Sequence, residues 1–249
     1  MGEAPRVTVA VPSYGHGRWI AKALDSILGQ GVPVEVMVAD GGPTDGTVEV
    51  LERYAPRLAH WRSHRDGGQA AAVNEAVARG TAPFVCWLNS DDWWLEGGLA
   101  KLLGALEANP AAPFAYGRVW NHVEETGRES PVWVRPFDER WMANACLVSQ
   151  PGTLVRRACW EAVGGLDESL HLAMDYDLWW KLHRRFGPPA FVDGFVAVNR
   201  DHDATKTATR RREHYREAMA VVKRHTGRVP LKWWLAQPWA VWWRGLRGR

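Results

Sequence analysis

The sequence predicts an α/β fold with a Rossmann-like, mainly parallel sheet, and three observations carry that expectation. Short β-rich apolar runs alternate with segments of helical period three times before residue 84. A fourth run, Phe84 to Leu88, stops abruptly at Asn89-Ser90-Asp91-Asp92, the pattern of a buried strand that delivers charge to a sheet edge. Open α/β sheets bind ligands at the carboxyl ends of their strands, so these acids stand where a hard cation and a phosphorylated ligand meet. A helix cap at Asp92 is the plainer reading of the same pair.

The elements follow in order. Val7 to Val11 is a strand that ends at the turn residues Pro12-Ser13-Tyr14-Gly15, and Trp19, Ile20, Ala23, Leu24, Ile27 and Leu28 give the first crossover helix, stopped by Gly29 and Gly31. Val34 to Ala39 is the second strand, ending in Asp40-Gly41-Gly42-Pro43-Thr44-Asp45-Gly46-Thr47; Thr44 or Asp45 starts a helix through Val50, Leu51 and Tyr54. A short strand near Leu58 to Trp61 leads through Asp66-Gly67-Gly68-Gln69 to an alanine-rich helix from Ala70 to Arg79. These units should join by right-handed crossovers. No Gly-x-Gly-x-x-Gly follows the first strand and no Walker lysine is present, so neither a dinucleotide cofactor nor ATP in a phosphate-binding loop is favoured.

In the second half Leu99, Leu102, Leu103 and Leu106 mark a helix from Leu95 to Asn109. Strands are expected at Ala115 to Trp120, Val132 to Val134 and Gln150 to Arg156, then a helix from Ala158 to Val163 closed by Gly164-Gly165. The stretch from Arg118 to Cys146 carries no readable motif. Asp175 opens a helix beginning at Met174, where an acid is stabilised by the positive helix end, a place equally suited to a cap and to a poised base. Ala190 to Val198 is a strand, followed by a polar loop, Asn199 to Thr207, in which Arg200 and Lys206 suit phosphate and His202 suits a metal. A merely solvated loop is the rival account.

Composition sets limits. The chain has 249 residues and 46% hydrophobic content, enough to bury one large domain. A net charge of +3 does not suggest a nucleic-acid partner. Cys86, Cys146 and Cys159 are widely spaced in apolar contexts and fit no metal pattern; with no secretion signal at the amino terminus, they predict a cytosolic compartment. No apolar run approaches the roughly 18 residues of a spanning helix. Basic residues crowd the segment from Arg210 onward, a basic helix to Arg228. After Pro230 the residues Leu235, Trp239, Trp242, Trp243 and Leu246 form a stripe flanked by Lys232, Arg244, Arg247 and Arg249, with Pro238 opening its second helix. That combination suits the surface of an anionic bilayer, hence a peripheral place on the inner membrane face; core packing or a dimer contact explains it equally. The 16 tryptophans fit either a GC-rich genome or surfaces that stack on sugars and settle at membranes.

Taken together, Val9-Ala10-Val11-Pro12-Ser13-Tyr14, the Asp40 to Thr47 segment, Asp66-Gly67-Gly68-Gln69 with Asn74, Trp87 to Asp92, Gly164-Gly165-Leu166-Asp167-Glu168 and Met174 to Trp179 resemble the inverting nucleotide-sugar glycosyltransferases of family two, with the GT-A fold, in the branch whose metal motif reads Asn-Ser-Asp-Asp. The resemblance implies a domain over 1–209, with a nucleotide-binding half (1–94) and an acceptor half (95–209), ahead of the tail at 210–249. It implies that Asp40 bonds a uracil or thymine base, that Pro12 and Tyr14 line that pocket, and that Asp66, Gln69, Asn89, Ser90 and Asp92 serve the nucleotide-sugar. Asp91 and His202 would hold Mn²⁺ or Mg²⁺, Arg200 and Lys206 would face the phosphates, and Asp175 would be the general base. Asn89 replaces the first acid of the commoner Asp-x-Asp form, Pro43 a usual serine, and Met174 a frequent glutamate.

The chemistry implied is metal-dependent transfer of a sugar from a UDP- or dTDP-sugar to an acceptor hydroxyl of a polysaccharide, glycolipid or glycoconjugate. One base suffices, unlike the paired carboxylates of glycoside hydrolases. A nucleotidyltransferase would need a glycine-rich loop with a basic residue after the first strand, of which Ser13 to Arg18 is a faint echo. A scaffold retaining the fold would use the tail alone. The transferase reading requires Asp91, His202 and Asp175 to converge on one cleft.

Overall fold

The computed structural model describes residues 3–42, 44–203, 205 and 209–237. Among them nine strands make one sheet: β1 (Val7–Ser13), β2 (Val34–Asp40), β3 (His60–Ser63), β4 (Phe84–Trp87), β5 (Trp93–Trp94), β6 (Phe114–Val123), β7 (Arg128–Pro131), β8 (Thr153–Arg156) and β9 (Ala190–Asp201). Their order is β3-β2-β1-β4-β8-β6-β9-β5, with β7 beside β6. The first four strands run parallel, as the alternation of strands and helices requires. From β8 onward the sheet is mixed: β8 is antiparallel to β4 and β6, while β9 runs parallel to β6.

Side chains alternate across the sheet and divide the core in two. Val7, Val9 and Val11 of β1 and Cys86 of β4 pack under α1 (Ile20–Leu28), α2 (Thr47–Tyr54) and α4 (Gly98–Ala108), meeting Leu24, Leu51 and Leu102. Ala10, Val85 and Trp87 face the other way, towards α3 (Gln69–Arg79), α6 (Arg157–Ala162) and α7 (Met174–Phe186). There Trp87 stacks on Trp179 with ring centroids 5.8 Å apart, and Phe114 stacks on the same indole at 4.8 Å. Much of the tryptophan is therefore core material on this face. Short α5 (Glu139–Met142), α8 (Arg211–Thr226) and α9 (Leu231–Gln237) complete the layer through Met142, Val221, Val222 and Trp233.

Several elements depart from the sequence reading. β9 runs on to Asp201 because the polar residues Asn199, Arg200 and Asp201 pair with Asn121, His122 and Val123 of β6. Two-residue β5, which pairs with β9, is too short to show a period. β7 occupies Arg128–Pro131, before the expected Val132 to Val134. Residues 238–249, with Pro238, Trp239, Trp242, Trp243 and Leu246, lie outside the described residues. All three cysteines are free thiols. Among the described residues no helix is long and apolar enough to cross a membrane.

Candidate active site

The parallel register brings the carboxyl ends of β1, β2 and β4 to one edge. Ser13 lies opposite Asp40, and beyond β4 the chain stays beside β1, with Ser90 N donating to the Pro12 carbonyl at 3.3 Å. Pro12 is buried at this junction. Asp40 is fully buried; its Oδ2 accepts from Ser63 Oγ at 2.6 Å and from Gly42 N at 3.1 Å, while Oδ1 has no partner. A buried carboxylate oxygen without a donor is costly unless something else supplies one. Tyr14 is exposed and its ring lies against Gly41, where a Cβ would sit 2.6 Å from the ring carbon Cδ2. Beside them Arg62 donates to the Asp40 carbonyl at 2.7 Å and to Asp66 at 3.0 Å, and Asp66 also caps the turn at Gly68 N. Gln69 donates to Asn89 Oδ1 at 2.7 Å, which ties the start of α3 to the loop after β4.

The end of β9 meets the same edge. His202 Nε2 lies 3.1 Å from Asp91 Oδ2, and His16, from the loop after β1, places Nδ1 3.7 Å from Asp91 Oδ1 and 2.9 Å from Ser90 Oγ. One ligand atom from each of His16, Asp91 and His202 lies within 4.8 Å of the others. Asp91 Oδ1 and His202 Nδ1 are buried without a hydrogen-bond partner. Burial pushes the Asp91 carboxyl up, but the His202 hydrogen bond and the neighbouring imidazoles outweigh it and hold it below the ordinary value. A carboxylate poised between two imidazoles, with an orphaned oxygen, fits a divalent cation. His16 escaped the sequence reading, although its position after a strand end was the available signal.

Asp92 is no helix cap, since α4 begins at Gly98. Its carboxylate turns inward, where Oδ1 accepts the Arg200 backbone N–H at 2.8 Å and Oδ2 accepts from Asn89 at 3.3 Å. Burial, then the charge of Asp91, pushes it well above the usual carboxylate range. Arg200, expected to face phosphates, is buried as a strut instead: Nε donates to the Asp91 carbonyl at 2.8 Å, the guanidinium pairs with Glu124, and it covers the Trp93 ring at 4.7 Å. The reason is its place within β9, which directs the side chain into protein. Lys206 lies outside the described residues.

Asp175 sits in the first turn of α7, half-buried, and accepts from Tyr176 N at 2.7 Å. Burial raises its pKa from 3.8 to about 6. Two connections relate it to the end of β4. Trp179, one turn along α7, stacks on Trp87. Burial, then the charge of Asp175, pushes the Cys146 thiol up, and Gln150 in the same segment donates to the Trp87 carbonyl at 2.6 Å. The start of α7 is held by Glu217 of α8, whose carboxylate accepts the backbone N–H groups of His171, Leu172 and Ala173 at 3.1, 2.8 and 3.1 Å. Across α3, Asn74 exchanges hydrogen bonds with the backbone of Leu166, and Gly165, at φ +64°, leaves room for it. Glu217 gave no sequence signal, being 42 residues from Asp175 on a helix read only as basic.

The family model for Glycosyl transferase family 2 matches residues 8–158. Chondroitin synthase of Escherichia coli is 26% identical over 182 residues, covering 72% of this chain but 26% of that protein, so the chain spans about a quarter of that relative. The S. aureus TarS 1-349 structure in complex with UDP-GlcNAc superposes with a TM-score of 0.72 at 19% identity, over 88% of this chain and 66% of that one. The mannosyltransferase PcManGT from Pyrobaculum calidifontis, in complex with GDP-Man and Mn²⁺, superposes with a TM-score of 0.71 at 25% identity, over 96% and 72%. With the family match spanning more than half its length and the strand-end site at the edge of a GT-A sheet, the chain belongs to glycosyl transferase family 2.

Proposed function

We propose that the protein is a metal-dependent, inverting glycosyltransferase that moves a sugar from a UDP- or dTDP-sugar to an acceptor hydroxyl in polysaccharide, glycolipid or glycoconjugate synthesis. The observation that carries the reading is the cluster of His16, Asp91 and His202 at the carboxyl ends of the strands, with an unpartnered Asp91 oxygen at its centre. The relatives support a nucleotide-sugar donor, since TarS is seen with UDP-GlcNAc and PcManGT with GDP-Man and Mn²⁺.

Each residue then has a task. The free Asp40 oxygen accepts an N–H from the base, and Tyr14, resting on Gly41, walls the ring. Asn89, held by Gln69, orients the ribose side, with Ser90 and Asp66 fixing the loops around it. His16, Asp91 and His202 hold the cation, whose chemistry when bound is to neutralise charge developing on the diphosphate oxygens. Two imidazoles beside one carboxylate suit Mn²⁺ better than Mg²⁺. Asp92 and Arg200 keep the Asp91 loop on β9. Asp175 takes the proton from the acceptor hydroxyl, and attack opposite the departing diphosphate inverts the anomeric centre. The basic, tryptophan-rich end of the sequence supports a peripheral place on the cytoplasmic face of a membrane.

The test is release of nucleoside diphosphate from a panel of UDP-, dTDP- and GDP-sugars in the presence of Mn²⁺, with the product's anomeric configuration read by NMR. No release from any donor sinks the transferase reading. A product of retained configuration sinks the single-base mechanism.

A further inference from the structure

The stretch from Arg118 to Cys146, unreadable as sequence, contributes half of an exposed aromatic surface. Trp133, Trp141, Leu231, Trp234 and Leu235 are between 44% and 72% exposed. They are joined through α9, whose other side is anchored by Trp233: that indole is buried and donates to the Ala143 carbonyl at 2.8 Å. The anchor places the Lys232 ammonium 5.8 Å from the Trp141 ring. Arg135 lies over the same ring at 4.6 Å, and Trp133 meets it edge-on at 6.2 Å. The neighbouring acids are engaged, since Asp138 accepts from Trp141 N and Glu139 pairs with Arg184 and His183. From Leu231 to Arg249 the sequence contains the basic residues Lys232, Arg244, Arg247 and Arg249 and no acidic one.

We propose that this composite face seats the protein on an anionic lipid bilayer and that the acceptor hydroxyl is carried on a lipid embedded there. Indole rings settle at the boundary between headgroups and acyl chains, and cations beside them meet anionic headgroups. Lysine is depleted at the core of protein–protein interfaces, whereas here Lys232 stands over the Trp141 ring beside Arg135. The acceptor half of the inference rests on the transferase reading and on one connection. Tyr176, adjacent to Asp175, donates its hydroxyl to the carbonyl of Met142, the residue after Trp141. One hydrogen bond thus joins the segment that carries Trp141 to the residue beside the base, so an acceptor held at the bilayer is brought to the end of α7 that carries Asp175.

The experiment uses the full chain, its Trp141→Ala/Trp234→Ala variant and its Arg135→Glu/Lys232→Glu variant. Flotation is measured with vesicles of phosphatidylcholine alone and of phosphatidylcholine mixed with phosphatidylglycerol. The unaltered chain should favour the anionic vesicles by about tenfold or more, charge reversal should remove that preference, and loss of the two indoles should lower recovery on both vesicles. Donor hydrolysis to water should persist in all three, which shows that the variants fold and separates this inference from the transferase reading. Equal recovery on both vesicles, or recovery indifferent to the variants, overturns the bilayer seat. So does a dimer, seen by light scattering, that the tryptophan variant abolishes while vesicle binding is unchanged. Transfer to a lipid-linked saccharide in anionic vesicles should fall in both variants; equal transfer to it by all three proteins overturns the lipid-borne acceptor.

Discussion

His202 Nε2 stands 3.1 Å from Asp91 Oδ2 across 111 residues of sequence. The contact exists because β9 runs on beside β6 to Asp201 and ends at the edge where β4 ends. If this pair with His16 holds the cation, His202→Ala and His16→Ala should each weaken Mn²⁺ binding by about tenfold or more, read by electron paramagnetic resonance of free Mn²⁺ without any turnover. Mn²⁺ should also support nucleoside diphosphate release better than Mg²⁺. Unchanged binding in both variants would remove the site.

Asp175→Asn should reduce turnover by about 10²-fold or more while leaving nucleotide affinity nearly intact, checked by calorimetry with the diphosphate. A general base works only when deprotonated. With its pKa raised from 3.8 to about 6, kcat should climb as pH rises through about 6 and then level off. A parallel loss of nucleotide affinity contradicts the role.

The same burial makes a prediction about stability. A carboxyl whose folded-state pKa lies above its unfolded value contributes fully at low pH and costs stability as pH rises through the folded value. A rise from 3.8 to about 6 corresponds to about 3 kcal/mol at full ionisation. Asp175→Asn should therefore unfold at higher urea than the unaltered chain at pH 8, by up to that amount, and at nearly the same urea at pH 4. Equal midpoints at both values would show the carboxyl to be solvated.

Arg200 is joined to the Asp91 carbonyl, to Glu124 and to Trp93 at once, and lysine cannot reproduce a planar fork that bonds two ways while covering a ring. Arg200→Lys should cost about 2 kcal/mol in urea unfolding and weaken Mn²⁺ binding by loosening the Asp91 loop. Full stability in the variant would make the arginine a surface residue after all.

Glu217→Ala removes the acceptor shared by three backbone N–H groups ahead of α7. Turnover should fall by several-fold with the KM for donor unchanged, and Glu217→Gln, which keeps one acceptor oxygen, should recover part of it. A rise in donor KM with unaltered kcat would place the effect elsewhere.

The legible parts of this chain were those with a period. The short apolar runs of β1, β2 and β4, set between segments of helical period, and the leucine spacing of α4 declared themselves, and Asp91 was conspicuous because it comes just past the end of a buried run. What could not be read depended on pairing. Asn199 to Asp201 look like loop residues until β6 lies beside them, and once Arg200 belongs to a strand its charge is turned into protein. His16 follows β1 in a stretch whose glycines drew attention to backbone conformation rather than to the imidazole. Glu217 had no local meaning, since its partners lie more than 40 residues away.

One feature of the cluster makes it observable. The Trp19 ring lies 4.1 Å from that of His202, with Arg18 3.9 Å over its centroid, and its Nε1 donates to Glu124. Protonated or cation-bound imidazole quenches a touching indole differently from the neutral ring, so this side chain is a built-in optical reporter. The fluorescence difference between the unaltered chain and Trp19→Phe should follow occupancy during a titration, without label or turnover assay.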